Sequence, residues 1–381
     1  MLKGLDLFMQ EKHAIKYLAP GWFAVIMGTG GLGNILYLWK ETFPSTELLS
    51  LFLAALAATL YFCVLIPWVI RWLCYYEYVR RDLHNPIAVN FFVTMPVATT
   101  ILGTNIYLIW SQYLSTFLVY SLSFLAYLIA IMGVTIFTFY TTFRMMRVEM
   151  TPKPETMNFS WIMAPIANMA VLLIGNPVLT MTINYRPEWA MSVLVTNVSL
   201  LGIGFFLFIF ISSIIFVRLA QYPLPPADLT PSFGIFLSAI GLAVSAVIDT
   251  ANNSQAMGLL TSPDLSYLGA ACIWGFGIWV VGIIIIICIH QLKKGGIPFN
   301  LGWWAFIFPL AAYTIASQKI AAYFSSPLVS GYTVFLTLLL GTLWVYTFYN
   351  TMVRVFKGTI FLGTPMQEHG MPAGITQRAL Q

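Results

Sequence analysis

Ten mostly apolar stretches limit how this chain can fold. Each is close to or longer than the ~20 residues that an α-helix needs to cross a bilayer. They cover residues 20–39, 48–70, 86–109, 115–140, 159–181, 189–217, 231–256, 265–290, 299–324 and 329–352. The sequence therefore predicts an all-α integral membrane protein with ten transmembrane helices. Because the number of spans is even, both chain ends should lie on the same side of the membrane.

The composition excludes a soluble protein. Of the 381 residues, 59% are hydrophobic and 8% are charged, whereas a soluble domain has about 25% charged residues. Residues 1–18 lack the basic region, apolar core and cleavage site of a signal peptide, so the first span should remain in the membrane. We expect a cytoplasmic N-terminal segment at 1–18, a transmembrane domain at 19–354, and a polar, disordered cytoplasmic tail at 355–381.

The positive charges lie mostly at one end of the spans. Only Lys40, Arg186 and Lys319 lie toward the other end. The remaining fifteen of the eighteen Lys and Arg residues are Lys3, Lys12, Lys16, Arg71, Arg80, Arg81, Arg144, Arg147, Lys153, Arg218, Lys293, Lys294, Arg354, Lys357 and Arg378. Because membrane-protein loops rich in Lys and Arg stay in the cytoplasm, both termini are predicted to be cytoplasmic. This distribution explains the positive net charge, so no nucleic-acid partner is expected.

Proline and glycine are concentrated in the odd-numbered stretches. These contain or begin with Pro20, Pro86, Pro96, Pro165, Pro177, Pro231 and Pro309, whereas the even-numbered stretches contain only Pro67. Bent helices rich in small residues suit the wall of a cavity, because they expose carbonyls and permit close approach. We therefore predict five helical hairpins, with an inner ring of five odd-numbered helices around a central pore. Plain helix packing is the alternative explanation.

Five segments carry a resemblance to a known family. They are PGWFAVIMGTGGLGN (20–34), HNPIAVNFF (84–92), NFSWIMAPIANMAVLLIG (158–175), LPPADLTPSFGIF (224–236) and WWAFIFPL (303–310). In this order they resemble the first, third, fifth, seventh and ninth helices of the tellurite-resistance/dicarboxylate transporter family. This family includes TehA, plant slow-type anion channels and malate permeases. The sequence departs from the family pattern where Asn85 separates His84 from Pro86.

The resemblance implies a function, an assembly and a gate. Small anions would cross the cell membrane, either C4-dicarboxylates such as malate or inorganic anions such as nitrate, chloride and sulfite. The protein would be a homotrimer with one pore per subunit. A phenylalanine of the ninth helix plugs the pore in this family, and the matching position here is Phe308.

The residues around Phe308 also favour a bend in this helix. Pro309 lies roughly 15 Å along a helix that begins near Phe299, close to the middle of the bilayer. Proline cannot donate a hydrogen bond to the carbonyl of Ala305, so the helix should bend there. Phe308 and Pro309 are therefore the predicted gate. A packing kink beside a core phenylalanine is the other interpretation.

Polar residues on the odd-numbered helices are the candidates for lining the pore. They are Thr29, Asn34, Asn90, Thr94, Asn168, Ser238, Ser245 and Thr314. Hydroxyls and amides would bind anions weakly, which suits passage because a conducted ion must also leave. Each of these residues could instead make an interhelical hydrogen bond, which is worth only ~0.6 kcal/mol on average.

Asp249 and Lys319 are ionisable residues inside apolar spans. An intramembrane charge is costly and is therefore a functional candidate. Lys319 could attract anions into an outer vestibule, while Asp249 moderates that field or takes up a proton. The two residues could equally pair and neutralise each other.

Three functional hypotheses follow from the sequence. The first is a gated anion channel or carrier, and the second is a proton-coupled dicarboxylate or sulfite/tellurite-type exporter. An integral-membrane enzyme is a remote third, because the four histidines form no metal-ligand or catalytic pattern. No cofactor is expected: GTGGLG at 28–33 matches a dinucleotide pattern, but no strand precedes it. The four cysteines are predicted to be buried, without metal or redox roles.

Overall fold

The computed structural model describes residues 14–147 and 157–359. Ten helical segments in these ranges are long and apolar enough to cross a membrane, and we call them spans 1 to 10. They are Pro20–Leu38, Ser45–Cys74, Ala88–Leu108, Thr116–Met145, Phe159–Tyr185, Pro187–Gln221, Ala227–Ala256, Asp264–Lys293, Leu301–Phe324 and Pro327–Phe356. The prediction of an all-α membrane protein with ten spans is confirmed.

Parts of the sequence prediction lie outside the described residues. These are residues 1–13 of the N-terminal segment, residues 360–381 of the tail, and the basic residues Lys3, Lys12, Lys153 and Arg378. Within the described ranges, span 10 extends to Phe356, two residues beyond the predicted domain boundary.

Burial differs sharply between odd-numbered and even-numbered spans. In the most apolar window of each span, 67–94% of the residues are buried in the odd-numbered spans and 11–33% in the even-numbered spans. Span 1 contacts span 3, span 3 contacts span 5, span 5 contacts span 7, span 7 contacts span 9, and span 9 returns to span 1. Each odd-numbered span also packs against the even-numbered span that follows it. The odd-numbered spans are therefore the interior of the bundle.

Every odd-numbered span begins with a short 3₁₀ turn, which the sequence analysis did not predict. The turns are Pro20–Trp22, Ala88–Phe91, Phe159–Ile162, Ala227–Leu229 and Leu301–Trp303. Two of them are capped by an asparagine whose Oδ1 accepts a hydrogen bond from a backbone N–H two residues later, at 2.9 Å from Asn158 and 2.7 Å from Asn300. Such bonds satisfy amides that a helix start leaves open. Asn85, where the chain departs from the family pattern, lies before the turn at Ala88–Phe91, and its Oδ1 accepts from the N–H groups of Ile87 and Ala88 at 2.9 Å.

Proline is less restricted to the odd-numbered spans than the sequence analysis stated. The even-numbered spans 6 and 10 begin with Pro187 and Pro327 at the first helical position, where proline loses no helical hydrogen bond. The predicted starts at 189 and 329 missed both residues. Interior prolines remain at Pro177 in span 5, Pro309 in span 9 and Pro67 in span 2.

Span 7 lies very close to span 9 at two glycines. Any side chain at these positions would overlap the backbone of span 9. A Cβ added to Gly234 would lie 2.2 Å from the carbonyl oxygen of Ala305, and one added to Gly241 would lie 2.5 Å from the backbone of Ala312. Ala305 is the residue whose carbonyl loses its helical partner at Pro309. The carbonyl oxygen of Ala305 therefore lies against the backbone of span 7 at Gly234. At such short range a Cα–H···O contact is favourable.

A helix at Tyr76–His84 joins spans 2 and 3, and two buried arginines bond to its C-terminal part. Arg71 lies 2.5 Å from the carboxylate of Asp82 and donates to the carbonyl of Lys16 at 2.9 Å. Arg144 donates to the carbonyls of Leu83 and His84 at the helix C-terminus, where a positive charge is favourable. The sequence analysis predicted no helix between the spans at 48–70 and 86–109.

The contact at Gly241 makes a prediction about stability. Gly241→Ala should lower the free energy of unfolding by about 1–3 kcal/mol, because the new methyl group overlaps the backbone of span 9. Gly282→Ala is the matched control on span 8, where a Cβ meets no atom within 4 Å. Thermal unfolding in detergent should show a lower midpoint for Gly241→Ala and no loss for Gly282→Ala. Equal midpoints would contradict the close packing of spans 7 and 9.

Candidate functional site

Two cavities lie along the interior of the bundle. The first has a volume of about 210 Å³ and lies near the N-terminal ends of the odd-numbered spans; we call it the N-side cavity. The second has a volume of about 300 Å³ and lies near the C-terminal ends of the same spans; we call it the C-side cavity. All five odd-numbered spans line each cavity, and no described residue of an even-numbered span lines either one.

The N-side cavity is apolar. Among the described residues that line it, only Thr94 and Ser238 carry hydroxyl groups. The Thr94 hydroxyl donates to the carbonyls of Pro20 and Phe91, at 2.8 and 2.7 Å, and the Ser238 hydroxyl donates to the carbonyl of Ile235 at 2.7 Å. Both hydroxyls are therefore already hydrogen-bonded to backbone carbonyls.

The C-side cavity is polar. Its lining includes amides, hydroxyls and one pair of charges: Asn34, Thr104, Tyr107, Asn176, Thr180, Ser245, Asp249, Asn252, Asn253 and Lys319. Several of these side chains bond to each other or to the backbone. Thr180, for example, donates to the amide oxygen of Asn253 at 2.8 Å. The two halves of the interior thus differ in chemistry.

Phe308 lines both cavities, and its side chain lies between them. It is 7% exposed and lies one residue before Pro309, which lines the N-side cavity. The carbonyl of Ala305, which Pro309 leaves without a helical partner, lies close to Gly234 of span 7. The predicted gate residue thus lines both cavities and lies beside the interior proline of span 9.

Asp249 and Lys319 form an ion pair that joins spans 7 and 9. The Lys319 ammonium donates to Oδ1 of Asp249, and both residues line the C-side cavity. Their side chains are 30% and 26% exposed. The two charges therefore compensate each other beside the cavity, as one of the two sequence interpretations anticipated.

Comparison with known proteins identifies the family. A sequence profile of the voltage-dependent anion channel family, SLAC1, matches residues 17–352. The chain belongs to this family. Its members are anion transporters or channels, so the chain is an anion transporter or channel of the SLAC1 type, and the enzyme hypothesis is set aside.

Three relatives match nearly the whole chain. An uncharacterized transporter of Methanocaldococcus jannaschii is 28% identical over 365 residues, covering 94% of this chain and 99% of the relative. A sulfite efflux pump of Arthroderma benhamiae is 25% identical and covers 91% of this chain and 93% of the pump. A tellurite resistance protein TehA homolog of Haemophilus influenzae is 22% identical, over 95% of this chain and all of the homolog.

Four of the eight pore-lining candidates in this SLAC1 protein line a cavity. Thr94 and Ser238 line the N-side cavity, while Asn34 and Ser245 line the C-side cavity. All four side chains are more than nine-tenths buried. The hydroxyls of Thr94 and Ser238 are bonded to backbone carbonyls, so the role of all four in contacting an anion stays a prediction.

The other four candidates do not line either cavity. Thr29 accepts a hydrogen bond from Trp344 Nε1 at 3.1 Å, and Asn168 donates to the Thr138 hydroxyl at 2.8 Å. Thr314 donates to the carbonyl of Leu310 at 2.7 Å. Asn90 donates to the carbonyl of Pro86 and borders a separate cavity of about 20 Å³. Their polar groups are used in packing, which is the alternative that the sequence analysis left open.

Six polar residues of the C-side cavity were missed by the sequence analysis. They are Thr104, Tyr107, Asn176, Thr180, Asn252 and Asn253. A usable signal was present, because Asn252 and Asn253 follow Asp249 within one helical turn and Asn176 directly precedes the interior proline Pro177. Polar residues clustered late in odd-numbered spans mark this cavity.

The predicted burial of the cysteines is wrong. Cys63, Cys74 and Cys272 are exposed, and Cys288 is half-buried. All four lie on spans 2 and 8, in which most residues are not buried within the protein. Across the part of the chain that the structure describes, no three His, Cys, Asp or Glu residues are grouped closely enough to hold a metal ion.

Trp304 supports the helical turn that precedes Phe308. It is fully buried, and its Nε1 donates to the Thr351 hydroxyl of span 10 at 3.1 Å. Gly28 of span 1 provides the space for the indole ring, since a Cβ there would lie 2.9 Å from Trp304 Cε3. Spans 1 and 10 therefore fix the position of span 9 next to Phe308.

The Trp304–Thr351 bond can be tested with a variant of nearly equal shape. Thr351→Val should destabilise the protein by about 1–3 kcal/mol, because it leaves a buried indole N–H without an acceptor. Thr342→Val is the control on the same span, since its exposed hydroxyl bonds only to the carbonyl of Leu338. Thermal unfolding in detergent measures both. Equal stability of the two variants would show that the bond does not hold span 9.

Proposed function

We propose that this SLAC1-family chain conducts small anions through a central pore formed by its inner ring of odd-numbered spans. The path runs from the N-side cavity past Phe308 into the C-side cavity. The observation that carries the proposal is that one aromatic ring borders both cavities. Rotation of this ring, or a change in the bend at Pro309, would join the two cavities into one path.

The cargo is proposed to be C4-dicarboxylates such as malate, or inorganic anions such as nitrate, chloride and sulfite. The functions for which two of the relatives are named, sulfite efflux and tellurite resistance, support small anions as a class. The amide and hydroxyl donors of the C-side cavity and the ammonium of Lys319 also favour anions over cations.

The protein is proposed to lie in the cell membrane with both termini in the cytoplasm. Even-numbered spans end in or are followed by basic residues, which stay on the cytoplasmic side. Arg71, Arg144, Arg218 and Arg354 are such residues in the described part of the chain. The N-side cavity would then face the cytoplasm and the C-side cavity the outside. The division into segments at 1–18, 19–354 and 355–381 belongs to this proposal.

A homotrimer with one path per subunit is the proposed assembly. The support is the family resemblance together with the apolar outer surface of the even-numbered spans, which can contact lipid or a neighbouring subunit. The mass of the protein in detergent, measured by light scattering, distinguishes a trimer from a monomer.

A proton-coupled dicarboxylate or sulfite exporter is the second candidate. The observation that favours it is Asp249, a carboxylate beside the C-side cavity that could accept a proton and release Lys319. Ionisable residues inside membrane spans commonly serve as proton relays. In a passive channel, the same carboxylate would only reduce the positive field of Lys319.

The gate is tested by Phe308→Ala in liposomes with voltage and pH gradients set independently. Flux of nitrate, chloride and malate should rise roughly tenfold or more, which requires the barrier to fall by about 1.4 kcal/mol. Phe335→Ala is the control, because this ring is 51% exposed on span 10 and lines neither cavity. If Phe308→Ala and wild type conducted equally, Phe308 would not be the gate.

Asp249→Asn separates the two candidates, because they predict opposite results. In a channel, loss of the carboxylate leaves Lys319 uncompensated, and anion flux should rise roughly threefold at low ionic strength and less at high salt. In a proton-coupled carrier, flux driven by a pH gradient should disappear. Glu188→Gln is the control, since this carboxylate lies near Arg186 at the surface and lines neither cavity. If Asp249→Asn changed neither the flux driven by voltage nor the flux driven by a pH gradient, Asp249 would have no part in the mechanism.

A further inference from the structure

Cations and tyrosine rings from two separate segments meet at the end of the bundle that holds the N-side cavity. The Tyr17 and Tyr78 rings lie edge to face, with 5.4 Å between their centroids. The Arg81 guanidinium lies 5.6 Å from the centroid of each of these two rings. The Lys16 ammonium lies 5.8 Å from the centroid of the Tyr78 ring and 5.6 Å from that of the Tyr75 ring. We call these five residues the tyrosine–cation cluster.

The positive charges of this cluster are not compensated by carboxylates. Among the described residues, no ion pair includes Lys16, Arg81 or the neighbouring Arg80. Two carboxylates lie on the same helix: Glu77 is exposed and makes no ion pair in the described structure, and Asp82 is buried and already paired. Arg80 and Arg81 are exposed, and Lys16 is half-buried. Exposed guanidinium groups without a carboxylate partner are suited to phosphate oxygens, which they can contact in pairs.

The surroundings of the tyrosine–cation cluster are typical of the headgroup layer of a membrane. The cluster lies between the end of span 2 at Cys74 and the start of span 3 at Ala88, together with the segment that precedes span 1. Further rings lie at this level, since Trp72 and the exposed Tyr76 are 6.3 Å apart. Tyrosine and tryptophan are enriched where a membrane meets water. In the proposed orientation this is the cytoplasmic leaflet, which carries anionic lipids.

Hydrogen bonds connect the tyrosine–cation cluster to the N-side cavity. Arg71 donates to the backbone carbonyls of Lys16 and Tyr78, at 2.9 and 3.3 Å. These bonds join the segment before span 1 to the helix before span 3. The first segment continues to Ala19 and the second to Ala88, and both alanines line the N-side cavity. A ligand bound to Lys16 and Arg81 would therefore hold together two segments that lead into the walls of this cavity.

We propose that Lys16, Tyr78 and Arg81 bind the headgroup of an anionic phospholipid. The lipid phosphate contacts the two cations, and the Tyr78 ring, which lies beside both of them, keeps them in place. The occupant is a lipid rather than a soluble phosphate, because the interfacial rings set the depth of the site. The site goes beyond the proposed conduction path and does not require it.

The test measures binding of phosphatidylglycerol to the full chain in detergent, by native mass spectrometry over a range of lipid concentrations. Lys16→Gln combined with Arg81→Gln should raise the dissociation constant roughly thirtyfold, since each cation near an anionic headgroup contributes about fivefold. Lys293→Gln combined with Lys294→Gln is the matched control and should change it less than about twofold. These two exposed lysines carry the same charge at the same side of the bundle, where span 8 ends. Equal weakening by the two pairs would indicate general attraction to positive charge and overturn the site.

Two substitutions of Tyr78 separate the ring from its hydroxyl. Tyr78→Leu should weaken phosphatidylglycerol binding roughly fivefold, because the cation–π contacts of both cations are lost. Tyr78→Phe keeps the ring and should bind as wild type does. Equal binding by Tyr78→Leu and wild type would overturn the role of the ring. If the double charge variant does not fold, Arg81→Gln against Lys294→Gln decides the question, with a fivefold difference expected for roughly one lost charge.

The lipid class is tested with two other ligands. Phosphatidylcholine has the same phosphate beside a compensating positive charge and should bind at least roughly tenfold more weakly; equal affinity would overturn the assignment to an anionic lipid. Glycerol 3-phosphate, which has no acyl chains, should not raise the unfolding temperature. A rise that the double charge variant abolishes would assign the site to a soluble phosphate instead.

Failure of the lipid site and failure of the proposed function give different results. The binding measurements are made in detergent and need no anion flux. Absence of anion flux into liposomes from both wild type and Phe308→Ala would overturn conduction and leave the lipid affinities unchanged. Loss of specific phosphatidylglycerol binding with normal flux would overturn the lipid site alone.

Discussion

The carbonyl of Ala305 is the constraint on which the centre of this protein depends. Pro309 removes its helical partner, and an unsatisfied carbonyl in the membrane interior is costly. The carbonyl lies against Gly234 of span 7, where no other residue type would leave enough space. A glycine on a different span therefore makes room for the carbonyl that this proline leaves without a helical partner. A proline and a glycine that are 75 residues apart in sequence act together as one structural element.

In the proposed path, the contrast between the two cavities would make the two sides of the Phe308 gate chemically different. Below Phe308, the hydroxyls of Thr94 and Ser238 are bonded to the backbone, so an ion entering the N-side cavity finds few groups to replace its water. Above Phe308, amides and hydroxyls are available. Apolar constrictions in channels can close by excluding water. In the proposed path, the ring of Phe308 and the apolar wall next to it would act together as the barrier, whereas the C-side cavity would hold the ion.

Much of the fold could be predicted from hydropathy, but the direction of side chains could not. All ten spans were placed within five residues of their observed ends, because apolar length is a strong signal in a membrane protein. The odd-numbered spans are apolar around their whole circumference, so they carry no amphipathic pattern that indicates which face is inward. Asn34 and Asn168 were equally good candidates by sequence. Only the packing decides that the first lines a cavity and the second bonds to Thr138.

The same limit explains why the donors of the C-side cavity were difficult to recognise. Whether a buried amide serves structure or function depends on what its oxygen and nitrogen each contact, and sequence carries no such information. Asn105, for example, donates to the carbonyl of Gly30 and to the amide oxygen of Asn34. Asp249 and Lys319 line the C-side cavity but bond to each other. In the proposed path, neutral amides and hydroxyls beside such a compensated charge pair would hold an anion weakly enough to release it, as conduction requires.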